Sequence, residues 1–276
     1  MSARMTLALD AGNTTITAGL FARGEILAHG RIPTRQVSFT KDLAARIAAL
    51  FPGMRPDAVA VCTVAPPMEP MLRQYAETAA QRVTFVASAS DVPMPVRYDP
   101  PSSLGADRLV NAFAAFRLFG GPCIVVDLGT ATKLDVVDAD GVYQGGAIAP
   151  GAGVSARALT HAAPRLPHID ICAPPAAIGH TTRNALSSGL VFGHAAMIDG
   201  LVRRFRRELG EDALVISTGG LAALICAETE TARRVEPFLT LRGLAILAEG
   251  EGEGEGDRGP EPGFRIPNPG GGPSGE

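Results

Sequence analysis

Tryptophan is absent from this chain of 276 residues, and tyrosine occurs only three times. Lysine is almost as scarce, with only Lys41 and Lys133 among 25 lysines and arginines. The bias by itself reads as coding composition, but it excludes a Walker A loop, which needs Gly-Lys-Ser/Thr. The four cysteines (62, 123, 172 and 226) show no CxxC spacing, and the five histidines (29, 161, 168, 180 and 194) no metal-ligand spacing. Cys62 and Cys123 lie in apolar runs and read as buried thiols of a reduced, cytoplasmic protein. No continuous apolar run approaches the roughly 20 residues of a membrane span, so no membrane partner is expected. The N-terminal stretch, with Asp10 six residues after Arg4, does not read as a signal peptide. Net charge is −3, but residues 249–276 hold seven acids and two arginines, leaving about +2 on residues 1–248. That is no electrostatic footprint for nucleic acid.

What is present is a repeated turn. Cys123 to Val126 is a β-favouring run without polar alternation, the pattern of a strand buried on both faces. It leads into Asp127-Leu128-Gly129-Thr130, and a strand resumes at Leu134 to Val137. Residues Leu7 to Thr15 carry the same strand–Asp–x–Gly–polar–polar pattern around Asp10, 117 residues earlier. A carboxylate at a strand end can hold Mg²⁺ or its waters, while glycine lets backbone N–H groups approach phosphate oxygens. One such turn is common. Two, from related halves facing one cleft, form a nucleotide clamp.

The first half reads as strands Met5–Asp10, Ile16–Phe21 and Glu25–Ile32, a helix Asp42–Phe51, a strand Asp57–Val64, a helix Pro66–Gln81 and a strand Arg82–Ala87. This order suits a mixed sheet with helices packed on it. Pro93 to Pro101 holds four prolines and must be an extended loop. It delivers Ser102 to Arg108 to a helix expected over Leu109–Phe119. Asp107 and Arg108 near a helix N-terminus suit reception of an anionic substrate. Alternatively, Ser103 is an N-cap, Asp107 complements the helix dipole and Arg108 is a solvated surface charge. Further on, Gly153–Ala163 and Asn184–Leu209 read as helices, and Ala213–Ser217 as a strand feeding the turn Thr218-Gly219-Gly220, a candidate adenosine or phosphate contact. Gly189 and Gly193 share one face of the long helix and would permit close packing.

Three ordered motifs now resemble a known family: Asp10-x-Gly12-Asn13-Thr14, then Gly105-Ala106-Asp107-Arg108, then Asp127-x-Gly129-Thr130-Ala131-Thr132. Together with Gly145 to Gly151 and Leu166-Pro167, they are similar to type III pantothenate kinase over roughly residues 5–248. The resemblance implies an α/β fold of duplicated ribonuclease-H-like (actin-like ATPase) half-domains, with mixed sheets flanked by helices. The halves would be residues 1–120 and 121–248. It implies an enzyme that uses ATP to phosphorylate pantothenate to 4′-phosphopantothenate, the first step towards coenzyme A. It also implies a cytoplasmic homodimer that needs Mg²⁺ and a monovalent cation, K⁺ or NH₄⁺. On this resemblance Asp107 is the catalytic base. Asp10, Ala11, Gly12, Asn13, Thr14, Thr15, Ile16 and Thr17 form the first phosphate loop, with Asp10 on the Mg²⁺ side directly or through water, and Thr130 contacts ATP. Tyr98, Gly105, Ala106, Asp107, Arg108 and Thr182 bind pantothenate, and Asp127 is the monovalent-cation ligand. The alternatives are a non-catalytic accessory or regulatory protein of the same fold, or a kinase of the same superfamily with another small-alcohol substrate.

Lys133 departs from the family pattern, which resembles Gly-Thr-Ala-Thr-Thr here. Because strand neighbours alternate faces, Lys133 is expected to point away from the cleft and leave the cation site intact. Residues 249–276, with ten glycines and five prolines, are expected to form a disordered tail.

Overall fold

The computed structural model describes residues 4–250. The expected tail lies outside the described residues from position 251 onward, and its first two residues close the last helix. The first half contributes β1 (Met5–Ala11), β2 (Thr15–Ala22), β3 (Glu25–Pro33), β4 (Ala58–Thr63) and β5 (Arg82–Val86), in the spatial order β3-β2-β1-β4-β5. The second contributes β6 (Cys123–Leu128), β7 (Ala131–Val137), β8 (Tyr143–Pro150), β9 (Leu214–Thr218) and β10 (Arg234–Val235), ordered β10-β9-β6-β7-β8. The two plans match. In each, the first strand pairs antiparallel with its hairpin partner and parallel with the strand that follows a helical crossover. The duplication expected from the two Asp turns is therefore a duplication of topology.

Helices cover both faces. They are α1 (Thr40–Leu50), α2 (Glu69–Ala79), α3 (Ala106–Phe119), α4 (Ala152–Ala162), α5 (Thr182–Leu209), α6 (Ala222–Cys226) and α7 (Leu239–Gly250). Strand alternation sorts the side chains. Leu7, Leu9, Val59 and Val61 join Leu43, Ile47 and Leu72 of α1 and α2 in one core. Ala8, Ala58, Ala60 and Cys62 face the other way, onto α3 and α7. The same core takes Cys123, Val125 and Ile216 from the second sheet, so α3 and α7 are packed between the two sheets. Ile124, Val126 and Leu134 turn outward onto Ala195, Ile198 and Val202 of α5. Cys62 and Cys123 are buried free thiols, as expected.

By length and composition α5 is long and apolar enough to cross a membrane, although no unbroken apolar run marks it in the sequence. Here it is a packed helix with Leu190, Val191, Ile198 and Val202 buried. Its Asp199 accepts bonds from the Glu230 N–H at 2.9 Å and the Thr231 N–H at 3.0 Å. Burial opposes the Asp199 charge, but these bonds and the Thr231 hydroxyl outweigh it and hold the pKa below the ordinary value. Among the described residues the close packing expected at Gly189 and Gly193 is not found, because a Cβ at either would meet nothing within 4 Å.

The tightest helix crossing is at Gly243 of α7, where a Cβ would lie 2.8 Å from Val110 and 3.0 Å from Ala114 of α3. Gly243→Val should therefore lower stability by about 1–3 kcal/mol through overpacking. Gly200→Ala, in α5 with nothing within 4 Å, should raise it by about 0.5–1 kcal/mol. Urea denaturation of both variants checks the pair, and equal effects would contradict the close crossing.

Candidate active site

The two Asp turns open on one cavity of about 450 Å³ between the halves. Asp10 stands near the end of β1, and Asp127 takes the equivalent place on β6. Gly12, Asn13, Thr14, Thr15 and Thr17 line it from the first half, and Gly129, Thr130, Thr218, Gly219 and Gly220 from the second. Ala11 and Ile16 of the first loop do not: they pair across β1 and β2 with both side chains in the core, because alternate residues of a strand face opposite ways. Gly219 has φ +96°, and a Cβ there would lie 2.8 Å from Asp127 Oδ1, so only glycine lets this turn approach the carboxylate.

Asp107 enters from the first turn of α3. That helix begins at Ala106, three residues before the expected start, with Gly105 as N-cap. Ser103 is not the cap; its hydroxyl donates to the Pro100 carbonyl. Asp107 Oδ1 accepts from the Arg108 N–H at 2.9 Å. Its other oxygen receives Lys133, whose Nζ lies 2.6 Å from Asp107 Oδ2 and 2.7 Å from Asp127 Oδ2. The expectation that Lys133 faces away is overturned. Asp127 and Lys133 are direct partners in the antiparallel β6–β7 pair, and partners across a ladder project to the same face. Burial alone would favour neutral lysine, but the two carboxylates reverse this and raise its pKa.

Asp10 has no hydrogen-bond or ion-pair partner among the described residues. Burial, then the Asp107 and Asp127 charges, push its pKa up to about 7, against a smaller opposing pull from Lys133. Burial likewise raises Asp127, partly offset by Lys133. A half-buried carboxylate that lines the cavity without a side-chain partner suits a divalent cation, whose charge would offset the repulsion from Asp107 and Asp127. Among the described residues no group of three or more His, Cys, Asp or Glu is arranged to hold a metal. An ion at Asp10 would therefore take its other ligands from phosphate and water, the usual manner of Mg²⁺.

Arg108 is neither a solvated surface charge nor part of the cavity lining. It is buried, with Nη2 2.7 Å and Nε 2.9 Å from Asp135 Oδ1. Tyr143 donates to the same oxygen at 2.7 Å, and Tyr98 Oη lies 3.5 Å from Arg108 Nη1. Burial pushes Asp135 up to about 6, with Arg108 and Tyr143 pulling it down, so it stays ionised at neutral pH. Consecutive residues of α3 thus serve two environments, Asp107 the open cavity and Arg108 this buried cluster. Thr182 is exposed at the first position of α5 and does not line the cavity. Arg31, Phe238, Thr240 and Leu241 do line it and were not anticipated. They come from the edge strand β3, the turn before α7 and α7 itself, which carry no local motif.

The sequence model of one family, described as type III pantothenate kinase, matches residues 6–204. The chain belongs to that family. It is 42% identical over 252 residues to the type III pantothenate kinase of Roseiflexus sp. (strain RS-1), covering 89% of this chain and 98% of the relative. The Koribacter versatilis (strain Ellin345) relative of the same name is 40% identical over 261 residues, covering 89% and 95%. Among solved structures, a putative Baf family transcriptional activator from Campylobacter jejuni superposes with a TM-score of 0.60 at 17% identity, covering 89% of this chain and 98% of that one. The ethanolamine utilization protein EutJ from Carboxydothermus hydrogenoformans gives 0.55 at 16%, covering 90% and 91%. These structural likenesses speak to the fold alone.

Asp135→Ala would leave Arg108 buried without its counter-charge and should cost about 3–5 kcal/mol of stability. Chemical denaturation checks it. A loss below about 1 kcal/mol would mean that Arg108 escapes to solvent at little cost.

Proposed function

We infer that this protein transfers the γ-phosphoryl group of ATP to the primary hydroxyl of pantothenate, giving 4′-phosphopantothenate, the first step towards coenzyme A. Family membership supports the reaction class and both substrates. The observation that carries the site reading is that Asp107 lines the cavity shared by both phosphate turns while the next residue, Arg108, sits in the cluster with Tyr98. ATP would lie in the cavity, with hydroxyls of Thr14, Thr15, Thr17 and Thr130 and the Asn13 amide offering donors to its phosphates. Pantothenate would lie beside Tyr98 and Gly105 to Arg108, and Thr182 joins that side by resemblance alone. Its hydroxyl would give its proton to Asp107 as the phosphoryl group transfers. Little basicity is needed there, because the transition state is loose and depends mainly on positioning and charge neutralisation. Mg²⁺ held at Asp10 would neutralise charge on the phosphates. The donor set does not fit a monovalent ion at Asp127, because the Lys133 ammonium is already within 2.7 Å of that carboxylate.

The accessory-protein reading is disfavoured by the convergence of Asp10, Asp107 and Asp127 on one cavity. A homodimer is proposed, with Ile148 (61% exposed), Ile178 (76% exposed) and the open Gly189 and Gly193 as candidate contact residues. A cytoplasmic setting follows from the pathway, and neither nucleic acid nor membrane is proposed as a partner.

Purified protein with ATP, Mg²⁺ and a panel of small alcohols should yield phosphorylated product from pantothenate. Asp107→Asn should keep the fold and pantothenate binding while losing about 10²–10⁴-fold in kcat, the usual contribution of general base catalysis. Undiminished kcat in a folded variant would remove Asp107 from that role.

A further inference from the structure

Lys133 supplies a positive charge at a place where a dissolved ion would otherwise be needed. Without it, Asp10, Asp107 and Asp127 put three carboxylates around a cavity that must also accept a polyanionic nucleotide. The ammonium spends two of its three donors on Asp107 Oδ2 and Asp127 Oδ2, at 2.6 Å and 2.7 Å. Any ion coordinating both oxygens would occupy the volume that Nζ fills. The arrangement is built rather than incidental. The β6–β7 register sets Lys133 directly opposite Asp127, and its side chain is only 15% exposed. The first half shows the contrast: the residue opposite Asp10 is Thr17, which brings a hydroxyl and no charge.

We propose that Lys133 is a tethered monovalent cation, a positioning residue that fixes Asp107 and Asp127 and frees phosphoryl transfer from any dissolved monovalent ion. Tethering matters because a covalently attached charge stays at the site at every salt concentration, whereas a weakly held ion is present only in proportion to its concentration. The catalytic consequence rests on the kinase reading given above.

The test uses the full chain in buffer whose only monovalent cation is tetramethylammonium, too bulky for the position. Wild-type kcat should be unchanged on adding K⁺, Na⁺ or NH₄⁺. Lys133→Thr should lose about 10²-fold, the scale of removing one electrostatic stabiliser, and recover with K⁺ or NH₄⁺. Lys133→Gln serves if the threonine variant does not fold. Thallium NMR with a non-hydrolysable ATP analogue adds a readout that needs no turnover: bound Tl⁺ in the variant and none in the wild type. Stimulation of the wild type by K⁺, or Tl⁺ bound to it, overturns the proposal. So does a folded variant that is indifferent to cations or inactive in every salt. Failure of the wild type to phosphorylate pantothenate in any salt would count against the kinase reading, while the thallium comparison still decides the role of Lys133.

Discussion

Repulsion among Asp10, Asp107 and Asp127 is the constraint around which the site is arranged. Each comes from a different element, β1, α3 and β6, so the two halves can close on one cavity only if that repulsion is countered. Lys133 counters it between Asp107 and Asp127, whereas Asp10, without an ion-pair partner among the described residues, is raised by burial and by the other two carboxylates. Arg108 and Asp135 solve a similar problem one residue along α3, where a buried guanidinium is matched by a buried carboxylate. The N-terminal turn of α3 is thus held by two ion pairs, one facing the cavity and one facing the core.

Duplicated topology supplies the geometry, and small differences between the copies supply the chemistry. Both halves place a carboxylate near the end of their central strand and a glycine turn after it. They differ in the ladder partner, Thr17 in one and Lys133 in the other. They share the cover between them, because α3 and α7 pack against both sheets at once. The small side chains Ala8, Ala60 and Cys62 and the glycine at 243 let those two helices fit there.

The strands of the first sheet and the paired Asp turns were legible because alternation and the repeated turn are local signals. No strand was expected over β8, where the glycine pair 145–146 and terminal Pro150 weaken the strand signal. Helix α7 was missed, and seven of its twelve residues prove to be buried between the two sheets. The orientation of Lys133 depended on hairpin register: alternation along one strand says which residues share a face, but not which face meets the cleft. The burial of Arg108 was invisible for a similar reason, since its partner Asp135 lies 27 residues away and carries no motif of its own.

The placement of α7 also bears on how the chain is made. The face of the first sheet formed by Ala8, Ala58 and Ala60 is covered in part by Leu241, Leu244 and Ala245, which follow β5 by more than 150 residues. At a synthesis rate of roughly 5–20 residues per second, that face waits on the order of 10–30 seconds on the ribosome for its cover. The N-terminal half therefore cannot complete its core as it emerges. Its final packing belongs to the same step that brings the last helix across both sheets, so a nascent chain stalled after β5 would expose this alanine-lined surface to chaperones.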